Sequence, residues 1–201
     1  LVFLKADIDC KDVITSANWT PNVFKGTFDG DGKTIDNLVL EKEDQVAFFA
    51  KVESGAVRNL TFGAGCSFVT SKAASSSSRI YAASLAVTAT GTATFAEVVN
   101  KGTVMAAAEA TGGTKGNYIG GICASYGATG ELVGCENYGD VVFSATPEAW
   151  MNCGGLFGEV TQSITVKGCI NHGSVKFDGS NSGNKSLNVG GIVAGVNTAG
   201  F

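Results

Sequence analysis

Apolar and small residues recur along the chain in short blocks separated by longer polar stretches. Five blocks align without gaps and begin 37, 37, 34 and 36 residues apart: Ala47-Phe-Phe-Ala-Lys-Val52, Ser84-Leu-Ala-Val-Thr-Ala89, Gly121-Ile-Cys-Ala-Ser-Tyr126, Gly155-Leu-Phe-Gly-Glu-Val160 and Gly191-Ile-Val-Ala-Gly-Val196. A second block, Asn-x-Gly-x-Val, begins at Asn100, Asn137 and Asn171, with matching spacings of 37 and 34 residues. Two blocks in phase indicate a structural repeat of 34 to 37 residues.

Short strands are predicted within each repeat. Runs such as Val141-Val-Phe143 and Ser163-Ile-Thr-Val-Lys167 are β-branched or alternating, and no repeat has a sustained 3.6-residue apolar period. Each repeat is therefore expected to form one coil of about three strands in a β-solenoid, with coils about 4.8 Å apart and equivalent apolar side chains forming interior ladders. The Asn-x-Gly-x-Val block is expected at a corner, because asparagine and glycine tolerate the left-handed backbone region.

The cysteines fit this repeat as apolar interior residues. Cys123 and Cys153 align with apolar residues of other coils, and Cys135 and Cys169 share one position. A disulfide between Cys135 and Cys169 is within reach, although a ladder position does not require one. The two cysteines in the first seventy residues are left undecided, and the absence of a C-x-x-C pair gives no support for a zinc site.

Composition narrows the range of partners. Of the 201 residues 28 are glycine, 44% are apolar and 16% are charged, and the net charge is −4 with one histidine. This charge offers no attraction to nucleic acid or to an anionic membrane surface. No run approaches the ~20 apolar residues of a membrane helix, and the first residues lack a signal peptide's basic segment. A folded chain with no nucleic-acid partner and no membrane-spanning segment is expected.

The polar stretches between the blocks are in phase, which predicts loops that emerge from one side of the stack. They are rich in Ser, Gly, Asn and Thr and cover residues 71–79, 111–117, 145–151 and 180–186. An exposed tryptophan beside polar groups is suited to stacking on a sugar ring or anchoring a partner, although Trp150 could equally pack over the coil edge. The predicted ligand-binding residues are Arg79, Lys115, Glu148, Trp150 and Asn184.

Candidate catalytic and metal-binding features each have a simpler structural interpretation. Asp29-Gly-Asp-Gly32 resembles the start of a calcium loop but lacks the later ligands, so a tight turn is expected. His172 occupies a position of the Asn-x-Gly-x-Val block that predicts an exposed corner, and Trp19 is expected to seal the end of the core. No catalytic residue, metal or cofactor is predicted. Four carboxylates are expected to be scattered and solvated rather than paired across a cleft: Glu131, Glu136, Asp140 and Glu159.

Two blocks carry a family resemblance. Phe24-Lys-Gly-Thr-Phe-Asp-Gly-Asp-Gly-Lys-Thr-Ile35 and Gly155-Leu-Phe-Gly-Glu-Val160 resemble the F-x-G-x-F-D-G-x-G-x-T-I and G-L-F-G-x-V blocks of GLUG-motif-like β-solenoid proteins on the surface of Bacteroides-type bacteria. The resemblance implies a right-handed parallel β-helix, the usual hand of parallel crossovers, and an extracytoplasmic, cell-surface or outer-membrane-associated location. Residues 84–89 lack the family's glycines, so irregular packing is expected in the second coil.

The predicted organisation is an N-terminal cap with its leading strands over residues 1–45 and solenoid coils over 46–201, in one continuous domain expected to extend beyond residue 201. The predicted function is a non-catalytic bacterial cell-surface adhesion or interaction module, whose partner is a host or bacterial surface glycan or protein. Two alternatives stay open. One is a carbohydrate-active β-helix, either a divergent polysaccharide lyase or glycoside hydrolase or a glycan-binding remnant, and the other is a structural spacer. An enzyme would show carboxylates converging in a groove.

Overall fold

The computed structural model describes residues 1–71, 79–107, 115–146, 149–180 and 185–197, and within them the chain forms strands and no helix. The strands in chain order are β1 (Val2–Phe3), β2 (Ile8–Asp9), β3 (Val23–Phe24), β4 (Thr27–Asp36), β5 (Val39–Lys42), β6 (Gln45–Val46), β7 (Phe49–Glu53), β8 (Ala56–Phe62), β9 (Ser67–Thr70), β10 (Tyr81–Ala82), β11 (Ala86–Gly91), β12 (Thr94–Asn100), β13 (Thr103–Ala106), β14 (Asn117–Gly120), β15 (Cys123–Ala128), β16 (Leu132–Val133), β17 (Glu136–Asn137), β18 (Val141–Phe143), β19 (Met151–Gly154), β20 (Phe157–Val160), β21 (Val166–Lys167), β22 (Ile170–Asn171), β23 (Val175–Phe177), β24 (Leu187–Gly190) and β25 (Val193–Val196).

The strands form four sheets, in which each pairing between described strands is parallel. Sheet 1 contains β1, β2, β4, β8, β12, β16, β17, β21 and β22; sheet 2 contains β6, β10, β14, β19 and β24; sheet 3 contains β3, β7, β11, β15, β20 and β25; sheet 4 contains β5, β9, β13, β18 and β23. The chain passes from sheet 2 to sheets 3, 1 and 4 and then returns to sheet 2. The predicted all-β parallel solenoid is confirmed, with about four turns spaced near 36 residues.

Each coil crosses four sheets rather than forming the three strands predicted. The additional corner lies inside the first of the two sequence blocks, the one that begins at Gly121 in the third coil and that we call the glycine-rich block. In that coil β14 ends at Gly120 and β15 begins at Cys123. An added Cβ at Gly120 would lie 2.2 Å from the carbonyl oxygen of Cys123, so the corner of this coil has no room for a side chain, although the second coil holds Ala83 at the equivalent position. Apolar or small residues on both sides of the corner hide it from a count of apolar runs.

The strand register confirms the predicted interior ladders. Cys123 pairs with Ala86 of the preceding coil and Phe157 of the following one, and Cys153 pairs with Ile119. All five residues are fully buried. Their side chains fill the solenoid interior, where burial of apolar surface supplies the main driving force for folding.

Cys135 and Cys169 lie side by side on adjacent coils, as their shared repeat position predicts. The amide of Ile170 donates to the carbonyl oxygen of Cys135 at 3.0 Å, and both cysteines are free thiols. The hydrogen bond from the Cys135 thiol lowers the pKa of Cys169 to about 7 and raises that of Cys135. Cys10 and Cys66 are also free and buried, and burial raises the pKa of Cys66 to about 11.

The Asn-x-Gly-x-Val corner contains an internal asparagine ladder. Nδ2 of Asn100 donates to Oδ1 of Asn137, and Nδ2 of Asn137 donates to Oδ1 of Asn171, each at 2.8 Å. Each Nδ2 also donates to the carbonyl oxygen of the glycine two residues later, at 2.8, 2.8 and 2.9 Å. Asn100 and Asn137 are fully buried, so the ladder satisfies polar groups that water does not reach.

The glycines of this corner are required by close stacking, not by the left-handed backbone that the sequence suggests. An added Cβ at Gly139 would lie 1.8 Å from the carbonyl oxygen of Gly102, and one at Gly173 would lie 2.0 Å from that of Gly139. The left-handed residues in this part of each coil occur earlier, at Glu97 (φ 53°) and Gly134 (φ 60°). The corner itself is confirmed, and only its physical reason is corrected.

The asparagine ladder packs against the glycine-rich block. An added Cβ at Gly121 would lie 2.6 Å from Cγ of Asn137, and one at Gly155 would lie 2.4 Å from Cγ of Asn171. The two sequence blocks are therefore two sides of one contact, which explains why their spacings change together. The second coil has Ser84 at this position and keeps the register of its neighbours, with Ser84 Oγ donating to the Gly121 carbonyl oxygen at 2.6 Å. The irregular packing expected there is not observed.

Residues 1–45 stack on the first full coil, with β1 and β2 pairing with β4. Trp19 stacks on Phe48 with ring centroids 4.9 Å apart, and its Nε1 donates to the Phe48 carbonyl oxygen at 3.2 Å. Trp19 thus packs against the edge of the core, in the position expected of a residue that covers its end.

The Asp29–Gly32 segment forms a bulge in β4, where the register with β8 shifts and Asp31 and Gly32 have positive φ. The buried Asp29 carboxylate accepts hydrogen bonds from the Asp31 amide at 2.9 Å and from Asn59 Nδ2 at 3.0 Å, and it pairs with Arg58 Nε at 2.7 Å. These bonds, the Asp31 amide first, lower the pKa of Asp29. The segment is therefore a bulge within a continuous strand rather than the tight turn predicted.

Candidate functional site

Sheets 2 and 3 carry a second apolar cluster outside the core. Side chains alternate along a strand, so Tyr81 and Tyr118 point outward beside the inward-facing Ala82 and Ile119. Outward side chains of two neighbouring sheets bury each other only where the surface between them is concave. The members of the cluster are Ala47, Tyr81, Ala83, Val87, Tyr118 and Ala124.

The concave surface continues over later coils as a groove of about 480 Å³, which we call the outer groove. Small-molecule sites in proteins are typically clefts of about 300–1,000 Å³ with a few convergent polar groups. Three successive coils contribute to the groove, from β14 to β25. Its described lining residues are Tyr118, Trp150, Asn152, Glu159, Ser186, Asn188, Ala194, Gly195, Val196 and Asn197.

Aromatic side chains form one wall of the outer groove. Tyr81 and Tyr118 stack with centroids 5.4 Å apart, Arg79 Nη1 donates to Tyr81 Oη at 3.1 Å, and the Arg79 guanidinium lies 5.8 Å from the Tyr118 ring. Trp150 Nε1 donates to Tyr118 Oη at 3.2 Å. An added Cβ at Gly116 would lie 2.5 Å from the indole, so Trp150 packs on the coil edge while 44% of it stays exposed. Packing of Trp150 over the coil edge is therefore observed, and a binding role for its exposed part stays a prediction.

Carboxamides form the floor beside this wall. Asn152 and Asn188 are register partners on adjacent coils, and Asn188 Nδ2 donates to Asn152 Oδ1 at 2.7 Å. An added Cβ at Gly195 would lie 2.2 Å from Asn152 Nδ2, so glycine there makes room for the amide. Among the described residues, Asn152 Nδ2 has no acceptor. The pair thus presents a hydrogen-bond donor and the carbonyl oxygen of Asn188 to the groove.

Glu159 is the buried charge of the outer groove. Only 7% of the residue is exposed, and Ser125 Oγ donates to its Oε1 at 2.7 Å. Burial raises the pKa of Glu159, although the Ser125 hydrogen bond, the Arg79 charge and the Tyr118 hydroxyl act in the opposite direction. The prediction that Glu159 is solvated is therefore wrong. Glu159 points outward from sheet 3, where a flat sheet would leave it exposed, but the concave junction with sheet 2 buries it.

Each of the four polar stretches links a strand of sheet 4 to the next strand of sheet 2, so they recur at the same point of each coil, as the repeat predicts. Arg79 and Trp150 both contact Tyr118, so the structure brings these two predicted residues together. Lys115 is exposed and is not one of the described lining residues of the groove. Two further predicted residues, Glu148 and Asn184, lie outside the described residues. The binding role of all five stays a prediction.

The sequence analysis did not identify the outward-facing residues of sheet 2 as candidates for the groove. Tyr81, Tyr118, Asn152 and Asn188 are register partners on four successive coils. Each directly precedes a residue of a predicted interior ladder, so strand alternation places each of them on the outer face. Counting one residue back from that ladder would have found them.

His172 and the remaining carboxylates lie away from the groove. The His172 ring stacks on Tyr138 with centroids 4.3 Å apart, and its Nε2 lies 3.7 Å from Glu136 Oε2. The side chain of His172 is 43% exposed, as the predicted corner requires. The other predicted solvated carboxylates form exposed ion pairs, Glu131 with Lys167 at 3.3 Å and Asp140 with Lys176 at 3.2 Å.

The outer groove offers stacking surfaces and hydrogen-bonding groups. Glu159 is the one carboxylate among its described lining residues. Within the described ranges, no group of three or more His, Cys, Asp or Glu side chains is arranged to hold a metal ion. That same part of the chain contains no helix long and apolar enough to cross a lipid bilayer. The chemistry that these residues support is recognition of a polar molecule with flat apolar faces.

Comparisons with known proteins find a relative in fold. No protein-family model matches the chain, and no curated protein matches it. A matching solved structure is a "putative immunoglobulin A1 protease" from Bacteroides ovatus, with a TM-score of 0.70 at 18% identity. The match covers 96% of this chain and 54% of that chain, so this chain spans about half the length of that protein. At this identity the likeness shows the fold alone.

Proposed function

We propose that the chain is a non-catalytic interaction module of a bacterial cell-surface protein, in which the β-solenoid presents the outer groove to a surface glycan. The observation that carries this proposal is the convergence of Trp150, Tyr118, Asn152 and Glu159 in one concave site. Three successive coils contribute side chains to the groove, because the repeat places equivalent strand positions next to each other.

The groove matches a sugar in both of its chemical aspects. A pyranose has apolar faces of C–H groups and a rim of hydroxyls. The exposed part of Trp150 beside Tyr118 supplies a flat surface for the faces, and the carboxamides of Asn152 and Asn188 supply a donor and an acceptor for the rim. Aromatic residues also anchor interfaces at low cost in conformational entropy. A stable protein partner would instead call for a larger contact area.

The proposed extracytoplasmic location, at the cell surface or associated with the outer membrane, rests on two lines of support. The sequence blocks resemble those of surface β-solenoid proteins, and the fold relative comes from a Bacteroides species. The name of that relative describes a protease, and this chain spans only about half of it. The adhesion role is therefore proposed for this chain from its own groove.

A carbohydrate-active enzyme is the second candidate. Glycoside hydrolysis uses two carboxyl groups about 5–9.5 Å apart across the scissile bond. The described lining of the outer groove supplies one, Glu159, whose Oε1 accepts from Ser125 at 2.7 Å. One carboxylate in the described lining supports glycan binding better than hydrolysis, so the non-catalytic proposal is preferred.

A glycan array followed by calorimetry tests the proposal. The unmodified chain is compared with Trp150→Ala and with Tyr138→Ala, a matched control that removes an exposed aromatic residue from another face of the solenoid. We expect specific glycan binding that Trp150→Ala weakens by at least about tenfold, roughly 1.4 kcal/mol. Tyr138→Ala should leave it unchanged. A blank array for the folded protein, or equal binding by all three, would reject the glycan-binding role.

A further inference from the structure

We infer that the outer groove selects neutral sugar units over uronic and sialic acids, and that Glu159 determines this specificity. The inference rests on the proposed glycan-binding function and specifies its ligand class. It follows from the position of Glu159, the charge of the groove lining and the hydrogen-bonding groups that remain open to a ligand.

The edge of Glu159 toward the groove is left open by its neighbour in the next coil. Glu159 pairs in register with Ser125 on one side and with Gly195 on the other. Ser125 donates to Oε1 at 2.7 Å and the Tyr118 hydroxyl also acts as a hydrogen-bond donor, whereas Gly195 on the other side has no side chain to cover the carboxylate. A buried carboxylate with one side free is a strong acceptor for a donor brought by a ligand.

The charge of the described lining is carried by Glu159 alone. Arg79 is not one of the described lining residues; it donates to Tyr81 and contacts the Tyr118 ring, and its charge offsets only part of the effect of burial on Glu159. A ligand carboxylate would therefore meet a like charge in a partly desolvated site, where repulsion is stronger than in bulk water. An uncharged hydroxymethyl group at the same position would instead donate a hydrogen bond to Glu159.

The neighbouring carboxamides reinforce the selection for hydroxyl groups. Asn152 Oδ1 is held by Asn188 Nδ2 at 2.7 Å, which leaves Asn152 Nδ2 as a donor and Asn188 Oδ1 as an acceptor. Hydroxyls, which donate and accept, satisfy both groups and Glu159 together. A carboxylate in place of one of these hydroxyls only accepts, so it could donate neither to Asn188 Oδ1 nor to the open side of Glu159. Sites built from buried polar groups discriminate strongly against ligands that leave them unpaired.

Matched sugar pairs test the inference. Oligosaccharides of galactose and of galacturonic acid, and of glucose and of glucuronic acid, are matched in length and linkage and differ within each pair at C6 of each unit, which bears a hydroxymethyl group or a carboxylate. Kd is measured for all four with the unmodified chain, with the near-isosteric Glu159→Gln, and with Glu136→Gln, which removes a carboxylate outside the groove. We expect the unmodified chain to favour at least one neutral partner by about tenfold or more. Glu159→Gln should reduce that ratio to within about threefold, mainly by improving binding of the acid, and Glu136→Gln should leave it unchanged.

The outcomes separate this inference from the proposed function. If binding is lost in Trp150→Ala but the acid binds as well as the neutral sugar, the selectivity inference is wrong and the glycan-binding function stands. An unchanged ratio in a folded Glu159→Gln variant also overturns the role of Glu159. If the folded chain binds none of the four probes and the array is blank, the proposed function and the inference are rejected together.

Discussion

Asn137 is the central member of the asparagine ladder, and its replacement by alanine is expected to cost about 3 kcal/mol of folding free energy. The side chain makes three hydrogen bonds of 2.8 Å, from Asn100, to Asn171 and to the Gly139 carbonyl oxygen. A buried hydrogen bond contributes about 1 kcal/mol net, and unpaired buried partners cost more. Asn100 keeps its bond to Gly102, so the loss should stay near the sum of the three bonds.

Urea unfolding followed by circular dichroism measures this effect from the midpoint and slope of the transition. Lys101→Ala is the matched control, because Lys101 lies at the same kind of corner with its side chain in solvent, and its change should stay within about 0.5 kcal/mol. Combining Asn137→Ala with Asn100→Ala should cost less than the sum of the two, since both remove the same bond. A loss below about 1 kcal/mol for Asn137→Ala, with an unchanged slope, would refute the structural role assigned to the ladder.

Three further predictions concern charge, packing and thiol chemistry. Folding raises the pKa of Glu159 above its ordinary value of 4.5, so its contribution to stability is present at low pH and declines as the pH rises. Glu159→Gln should therefore stabilise the chain near pH 7 and have no effect on stability below about pH 4. Urea unfolding across that pH range checks this, and a gain that grows on acidification would contradict it. Gly155→Ala places a Cβ 2.0 Å from a backbone oxygen of the next coil and should lower the free energy of unfolding, measured by thermal unfolding, by about 3 kcal/mol. The control Gly26→Ala, where the nearest atom to the added Cβ is 3.5 Å away, should cost under about 1 kcal/mol. Similar costs for the two variants would argue against tight stacking at Gly155. The alkylation rate of Cys169 by iodoacetamide should reach half its maximum near pH 7, and Cys135→Ala should move that midpoint up toward 9.0. An unmoved midpoint would show that the Cys135 thiol does not lower the pKa of Cys169.

The repeat and the interior ladders could be predicted because they depend on spacing alone. Cys123 falls between Ala86 and Phe157 in the structure, as the alignment of the blocks requires. The asparagine corner was also visible from spacing. The physical reason for asparagine and glycine at this corner was not visible. It lies in a ladder of side-chain amides and in the close stacking of Gly139 on Gly102, which are contacts between residues 34 to 37 positions apart.

The outer groove could be predicted only in part. Trp150 and Arg79 were visible as unusual residues on polar loops, and both contact Tyr118. Glu159 was misplaced because its burial depends on the angle between two sheets. That angle is set at the corner after Gly120, and a linear pattern of apolar and polar residues does not encode it. The outward position of Asn152 follows from alternation, but its inclusion in a site requires the same angle.

The outer face of sheet 2 takes one residue from each coil, in the order Tyr81, Tyr118, Asn152 and Asn188. Gain or loss of a whole coil would therefore lengthen or shorten this row by one strand spacing, about 4.8 Å, without disturbing the other rungs. A point substitution would change one rung and leave the fold beneath it intact. Ligand preference and structural integrity are thus separate variables in this architecture, and a population of such proteins can diversify what it recognises while the same interior ladders are inherited unchanged.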